Sequence, residues 1–104
     1  MGMKALRILW AASAEAEFDR LLSYIQAEHP PTARKLWVKV MEAIELASLH
    51  PALGPYLPEL GRSYRELLSV RPFRVVYRVE EGVLRVVAVM RQEQDFDPRR
   101  FLPE

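Results

Sequence analysis

Arginine is the residue type through which this chain could do chemistry. Cysteine is absent, the histidines are His29 and His50, and of the 15 Lys and Arg residues only Lys4, Lys35 and Lys39 are lysine. The arginines concentrate between Arg62 and Arg91, where they alternate with apolar residues. In an extended strand, residues two apart share a face. Over Phe73 to Val79 this sends Arg74, Val76 and Arg78 to one side and Phe73, Val75, Tyr77 and Val79 to the other. Over Val83 to Arg91 it sets Leu84, Val86, Ala88 and Met90 against Val83, Arg85, Val87, Val89 and Arg91. With Arg65 of the preceding run turned the same way, Arg65, Arg74, Arg78, Arg85 and Arg91 share one surface, interleaved with Leu67, Val76, Val87 and Val89. Guanidinium forks on a rigid sheet grip phosphates and stabilise charge developing in phosphoryl transfer. The competing reading is a solvated face whose arginines are balanced by Glu66, Glu80 and Glu93. A half-apolar, half-basic face calls for a cover, which a partner or the terminal segments would supply.

Other chemistry finds little support. The lack of cysteine excludes disulfides, thiol catalysis and cysteine-ligated zinc. His29 and His50 stand beside prolines at helix ends without metal-ligand spacing, and they read as capping or surface residues. Asp95 and Asp97 flank Phe96, a short acidic pair that is a weak metal signal. The sequence contains neither a glycine-rich phosphate loop nor a Gly-x-Ser-x-Gly elbow. No metal or cofactor is expected. Trp10 and Trp37 read as core residues, and Tyr77, on the core face, is not cast as a catalytic phenol.

The elements that must hold the arginines fit one domain over residues 1–104. Half of the residues are hydrophobic and 28% are charged, the balance of an ordinary soluble protein. A net charge of +1 does not by itself announce a nucleic-acid binder. No run is long enough to span a membrane, and Met1 to Trp10 lacks the apolar core and cleavage site of a signal peptide, so a cytoplasmic protein is expected. Leu6 to Trp10 suits a first strand. Ser13 offers an N-cap to a helix whose stripe is Phe18, Leu21, Leu22 and Ile25. Pro30 and Pro31 end that helix and favour the start of a second, from about Thr32 to Leu49. Ala33, Leu36, Trp37, Val40, Ile44 and Ala47 line the buried face of this second helix. An irregular Pro/Gly loop from His50 to Ser63 precedes strands at Tyr64 to Ser69, Phe73 to Val79 and Val83 to Arg91, the last two joined by a tight turn at Glu80 to Gly82. In the tail, Phe101 and Leu102 could dock. The expected fold is α+β: an N-terminal strand, an antiparallel helical hairpin and a three-stranded antiparallel meander, forming one mostly antiparallel sheet packed on the helices.

The order of these elements resembles the RelE/ParE superfamily of toxins from type II toxin–antitoxin pairs, over nearly the whole chain. "FDRLLSYIQAEHPPTARKL" is similar to the family's paired helices with a proline break, and "HPALGPYLPEL" to its Pro/Gly-rich connection. "YRELLSVRPFRVVYRVEEGVLRVVAVM" is the most specific part. The resemblance implies a growth-inhibiting toxin, a plasmid-stabilisation type of function and a cognate antitoxin whose flexible segment folds across it. Two targets occur among relatives. RelE-like members cut messenger RNA on the ribosome without a metal, and ParE-like members block DNA gyrase. The resemblance places Arg74 where RNA-cutting members stabilise phosphate charge, Arg65 at a basic position of the preceding strand and Arg91 near a basic position after the last one. Leu67 stands where a second basic residue occurs, and "MRQEQDFDP" lacks the histidine or tyrosine found nearby in many nucleases. Charge stabilisation is thus better supplied than acid–base chemistry, which favours the gyrase branch. Messenger RNA cleavage is the alternative, and a degenerate, non-toxic antitoxin-binding module is a second one.

Overall fold

A computed structural model describes residues 4–67, 69–92 and 99. The expectations for Asp95, Asp97, Glu93, Phe101 and Leu102 fall outside them. Strand β1 (Arg7–Trp10) leads into helix α1 (Ala12–Gln26), helix α2 (Pro30–Leu49), a 3-10 turn (Pro58–Leu60), and strands β2 (Arg65–Leu67), β3 (Phe73–Glu80) and β4 (Val83–Arg91). The sheet order is β1-β4-β3-β2, with β1 parallel to β4 and the other pairs antiparallel. This is the expected α+β arrangement.

Helix α1 starts one residue before Ser13, with Ala11 in the N-cap position and no side-chain cap. The amide of Ala11 is still donating to the carbonyl of Val86, so the chain passes from strand to helix without room for a separate capping residue. Helix α2 begins at Pro30 rather than Thr32. Its two prolines occupy first-turn positions, where no amide donor is required. The hairpin packs on one sheet face. Phe18 stacks on Trp10 with ring centroids 5.6 Å apart and meets Phe73 edge-on at 6.1 Å. Val40, Ile44, Val75, Tyr77, Leu84 and Val86 complete the main core.

A bulge divides strand β4. Tyr77 pairs with Val86 and Val76 with Ala88, which leaves Val87 as the extra residue. An extra residue reverses the alternation beyond it. Leu84, Val86 and Val89 therefore face the helices, whereas Ala88 and Met90 join Val76 and Leu57 in a second cluster on the outer face. This corrects the uniform alternation expected for β4, which put Ala88 and Met90 on the core face and Val89 outside. Val79 keeps its alternation in β3, but the described residues leave it 43% exposed.

The Pro/Gly loop covers the outer face, a role expected of a partner or the termini. Leu57 is buried against Val76, Ala88 and Met90, with Leu60 and Tyr64 packed around them. The loop runs along the free edge of β2: Glu66 donates its amide to Pro55, and Leu57 donates to Tyr64. The hydroxyl of Tyr77 holds it there, accepting from the amide of Gly54 at 3.0 Å and donating to the carbonyl of Pro51 at 2.9 Å. Gly54 permits the approach, because a Cβ there would lie 2.3 Å from the carbonyl oxygen of Glu66.

Burial pushes the Tyr77 phenol above its ordinary value of 10.0, against the opposing pull of the Gly54 amide and the Arg65 charge. The folded state thus holds the phenolic proton more tightly than the unfolded chain. Stability from this source is complete below pH 10.0 and falls as pH rises from there through the folded value. Tyr77→Phe should lower the unfolding free energy at neutral pH by about 1–3 kcal/mol, because the buried Gly54 amide and the half-buried Pro51 carbonyl lose their partner. In urea titrations it should also remove part of the alkaline loss. An unchanged alkaline slope in the variant would contradict this role.

Candidate functional site

The register of the sheet decides which arginines share a face, since directly opposed residues project to the same side. Arg65 opposes Tyr77, Glu66 opposes Val76 and Leu67 opposes Val75. Arg65 and Leu67 therefore lie on the helix side, and Leu67 is buried in the main core. Arg91 opposes Phe73, which puts it on the helix side as well, at the exposed end of β4. The single five-arginine surface is thus corrected. Arg74, Arg78 and Arg85 occupy the outer face, and Arg65 and Arg91 do not.

The three outer arginines have carboxylate partners. Nε and Nη2 of Arg74 converge on Oε2 of Glu66 at 2.8 and 2.6 Å. The pair is largely shielded, with side-chain exposures of 16% and 11%. Taking both charges out of water is costly, and this favours keeping them together over leaving either alone. Arg78 and Arg85 stand opposite each other across β3 and β4 and share Glu80, whose Oε1 is 2.5 Å from Arg78 and whose Oε2 is 3.9 Å from Arg85. Arg78 also donates to the Tyr64 hydroxyl, and that bond, with the charge of Glu80, holds its guanidinium further towards the charged form. The balanced-face reading thus holds for Glu66 and Glu80.

Arg65 is arranged differently. Its Nη1 donates to the carbonyl of Gly54 at 2.7 Å, and its guanidinium carbon lies 3.8 Å from the centroid of the Tyr56 ring. Arg62 approaches the same ring at 6.0 Å. Together with Arg78, Pro51, Ala52 and Val79 they line an open cleft of about 290 Å³. Tyr56 and Arg62 were not legible as site residues. Neither lies in a strand, and they reach Arg65 only because the loop folds back along β2.

A second surface lies between the helices. Trp37, expected in the core, is 49% exposed. It separates a hollow of about 230 Å³ beside Trp10, Phe18 and Met41 from another of about 320 Å³ beside Leu22, Ala33 and Arg34. Tyr24 and Val38 are exposed on the same two helices. The helical stripe that carries Ala33, Val40 and Ile44 into the core leaves the wider indole at its rim. His29 and His50 are exposed at the two ends of α2.

Residues 8–96 match the family described as the ParE toxin of type II toxin–antitoxin systems. Y4kP of Sinorhizobium fredii, a protein named as a toxin, is 28% identical over 95 residues, covering 90% of this chain and 96% of that one. Among solved structures, the chromosomal ParDE system of P. aeruginosa superposes with a TM-score of 0.71 at 21% identity, over 86% of this chain and 98% of that chain. The YoeB dimer from Staphylococcus aureus gives 0.62 at 18% identity, over 88% and 100%. These structures share the fold.

The Arg74–Glu66 pair generates a test of its own. Arg74→Ala should cost about 3 kcal/mol of unfolding free energy, because it strips the shielded Glu66 carboxylate of its ion pair, and Glu66→Ala should also destabilise by removing that pair. The double variant should lose clearly less than the sum. Additive losses in urea unfolding would show that the two groups are not coupled.

Proposed function

Because the chain belongs to the ParE toxin family of type II toxin–antitoxin systems, we propose that it arrests growth in the cytoplasm by inhibiting DNA gyrase rather than by cutting messenger RNA. The Arg74–Glu66 pair carries this reading. Cleavage by attack of a 2′-hydroxyl needs a proton acceptor, a donor for the leaving oxygen and a cation at the phosphate. Arg74 is the arginine that RNA-cutting relatives would aim at that phosphate. Here it faces a carboxylate already in contact, so an entering phosphate must displace Glu66 and then lie beside it. The other outer arginines share Glu80. Neither histidine supplies the missing proton chemistry, because both sit at the ends of α2, on the opposite side of the sheet from Arg74. Arg65 and Arg91, turned to the helix side, cannot join Arg74 around one phosphate. In this reading the arginines hold the fold and dock protein partners.

A type II toxin has an antitoxin partner. The groove around Trp37 suits an antitoxin segment that carries apolar residues for the two hollows and acidic residues for Arg34 and Lys35, which line its end at Pro30 and Pro31. A segment that orders on binding offsets the entropy lost with a large apolar contact.

Pulse-labelling of DNA and protein synthesis, within minutes of induction from a tightly controlled promoter, tests the choice of target. DNA synthesis should fall first while protein synthesis persists. An early fall in protein synthesis would overturn the gyrase reading in favour of messenger cleavage. Unimpaired growth would mark a module that only binds its antitoxin.

A further inference from the structure

The cleft between the 51–56 loop and the β2–β3 edge is a built feature that neither the fold nor the reading above accounts for. Three arginines line it, and no carboxylate does among the described residues. Among the described residues only Arg78 has an acidic partner there, Glu80, which Arg85 also claims. Arg65 is immobilised through one nitrogen: Nη1 is committed to the carbonyl of Gly54 at 2.7 Å and approaches that of Ala52 at 3.5 Å. Both are neutral acceptors, so among the described residues the charge stays uncompensated, and Nε and Nη2 remain as donors. The Tyr56 ring holds the guanidinium from one face at 3.8 Å. Such a fork loses little freedom on gripping an oxyanion. The remaining walls are apolar: Pro51, Ala52, Val79 at 43% exposure and Tyr56 at 42%.

We propose that this cleft is a docking site for an acidic peptide segment of a partner protein, in which a Glu or Asp side chain is gripped by Arg62 and Arg65 and a neighbouring apolar side chain rests on Val79 and Tyr56. Charge complementarity selects an acid, and the apolar half of the lining selects a peptide over a nucleic acid. A phosphodiester chain needs a continuous cationic track, yet Arg74, Arg78 and Arg85 are interrupted by Glu66 and Glu80, which would repel it. The cleft is also separate from the groove at Trp37. Thirteen residues lie between Trp37 and Pro51, mostly helical, a separation of roughly 20 Å along the axis of α2. One short segment therefore does not fill both. The site does not depend on whether gyrase is the target.

The test is a titration of the isotope-labelled, full-length protein, followed by amide shifts. The probes are a capped peptide alternating Glu and Leu, its Gln-for-Glu counterpart, and oligothymidylate. The acidic peptide should shift Ala52, Tyr56, Arg65 and Val79 at millimolar concentration or below. Arg62→Glu, a change at an exposed side chain outside any strand, should weaken that binding by about tenfold or more while leaving the other amide positions unchanged. Gln-for-Glu substitution should weaken it similarly. Equal binding of the Gln peptide, shifts confined to the Trp37 groove, no shifts at all, or tighter binding of oligothymidylate to the same residues would each overturn the assignment. So would an Arg62→Glu variant that is folded and binds undiminished.

Discussion

The hydroxyl of Tyr77 is the contact on which the arrangement of charge depends. It sits at the middle of β3 with its ring in the main core, and it satisfies one amide and one carbonyl of a loop more than twenty residues away in sequence. That loop would otherwise have a buried edge with unpaired backbone groups. Held in place, it shields the free edge of β2, carries Leu57 and Leu60 onto the outer face, and presents the Gly54 carbonyl to Arg65. A polar atom buried with both of its bonds made is favourable, and the same atom with either bond missing is not. The loop position is therefore strongly specified.

From that position the charges sort into two populations. On the outer face Arg74 is paired with Glu66 while Arg78 and Arg85 share Glu80, which contributes to the fold and offsets most of the charge there. At the β2–β3 edge, Arg62 and Arg65 are held by an aromatic ring and by neutral carbonyls, which orients them without cancelling their charge. A net charge of +1 conceals this difference. Partially exposed pairs such as Arg85 with Glu80 add little stability, whereas a shielded pair such as Arg74 with Glu66 punishes the loss of either member.

Much of the fold is legible in the residues. Pro30 and Pro31 mark the break between the helices, Gly82 at φ +69° marks the tight turn between β3 and β4, and the unbroken alternation of Phe73, Val75 and Tyr77 marks a core face. Three features escape that reading for physical reasons. The bulge at Val87 lies in a run of Val, Ala and Met, where every side chain is acceptable on either face, so composition carries no sign of the reversal. Strand β2 has three residues, too few to show a period, and its register is set by the loop beyond it. The exposure of Trp37 depends on how far α1 reaches across α2, which is a property of packing and not of the stripe that carries the indole. The site suffers most from the second of these. A strand turned over by one residue moves Arg65 away from Arg74 and brings Glu66 to it.

We propose that this toxin, with Arg74 of its outer face already paired to Glu66, acts on a protein machine and not on RNA. The most direct measurement places purified protein in two parallel reactions, one with gyrase and relaxed plasmid, the other with ribosomes translating a defined messenger. Supercoiling should fall in proportion to added protein, while the messenger stays full length at the same concentrations. Cleavage of ribosome-bound messenger with supercoiling untouched would contradict the account, and would mean that Arg74 leaves Glu66 when RNA arrives.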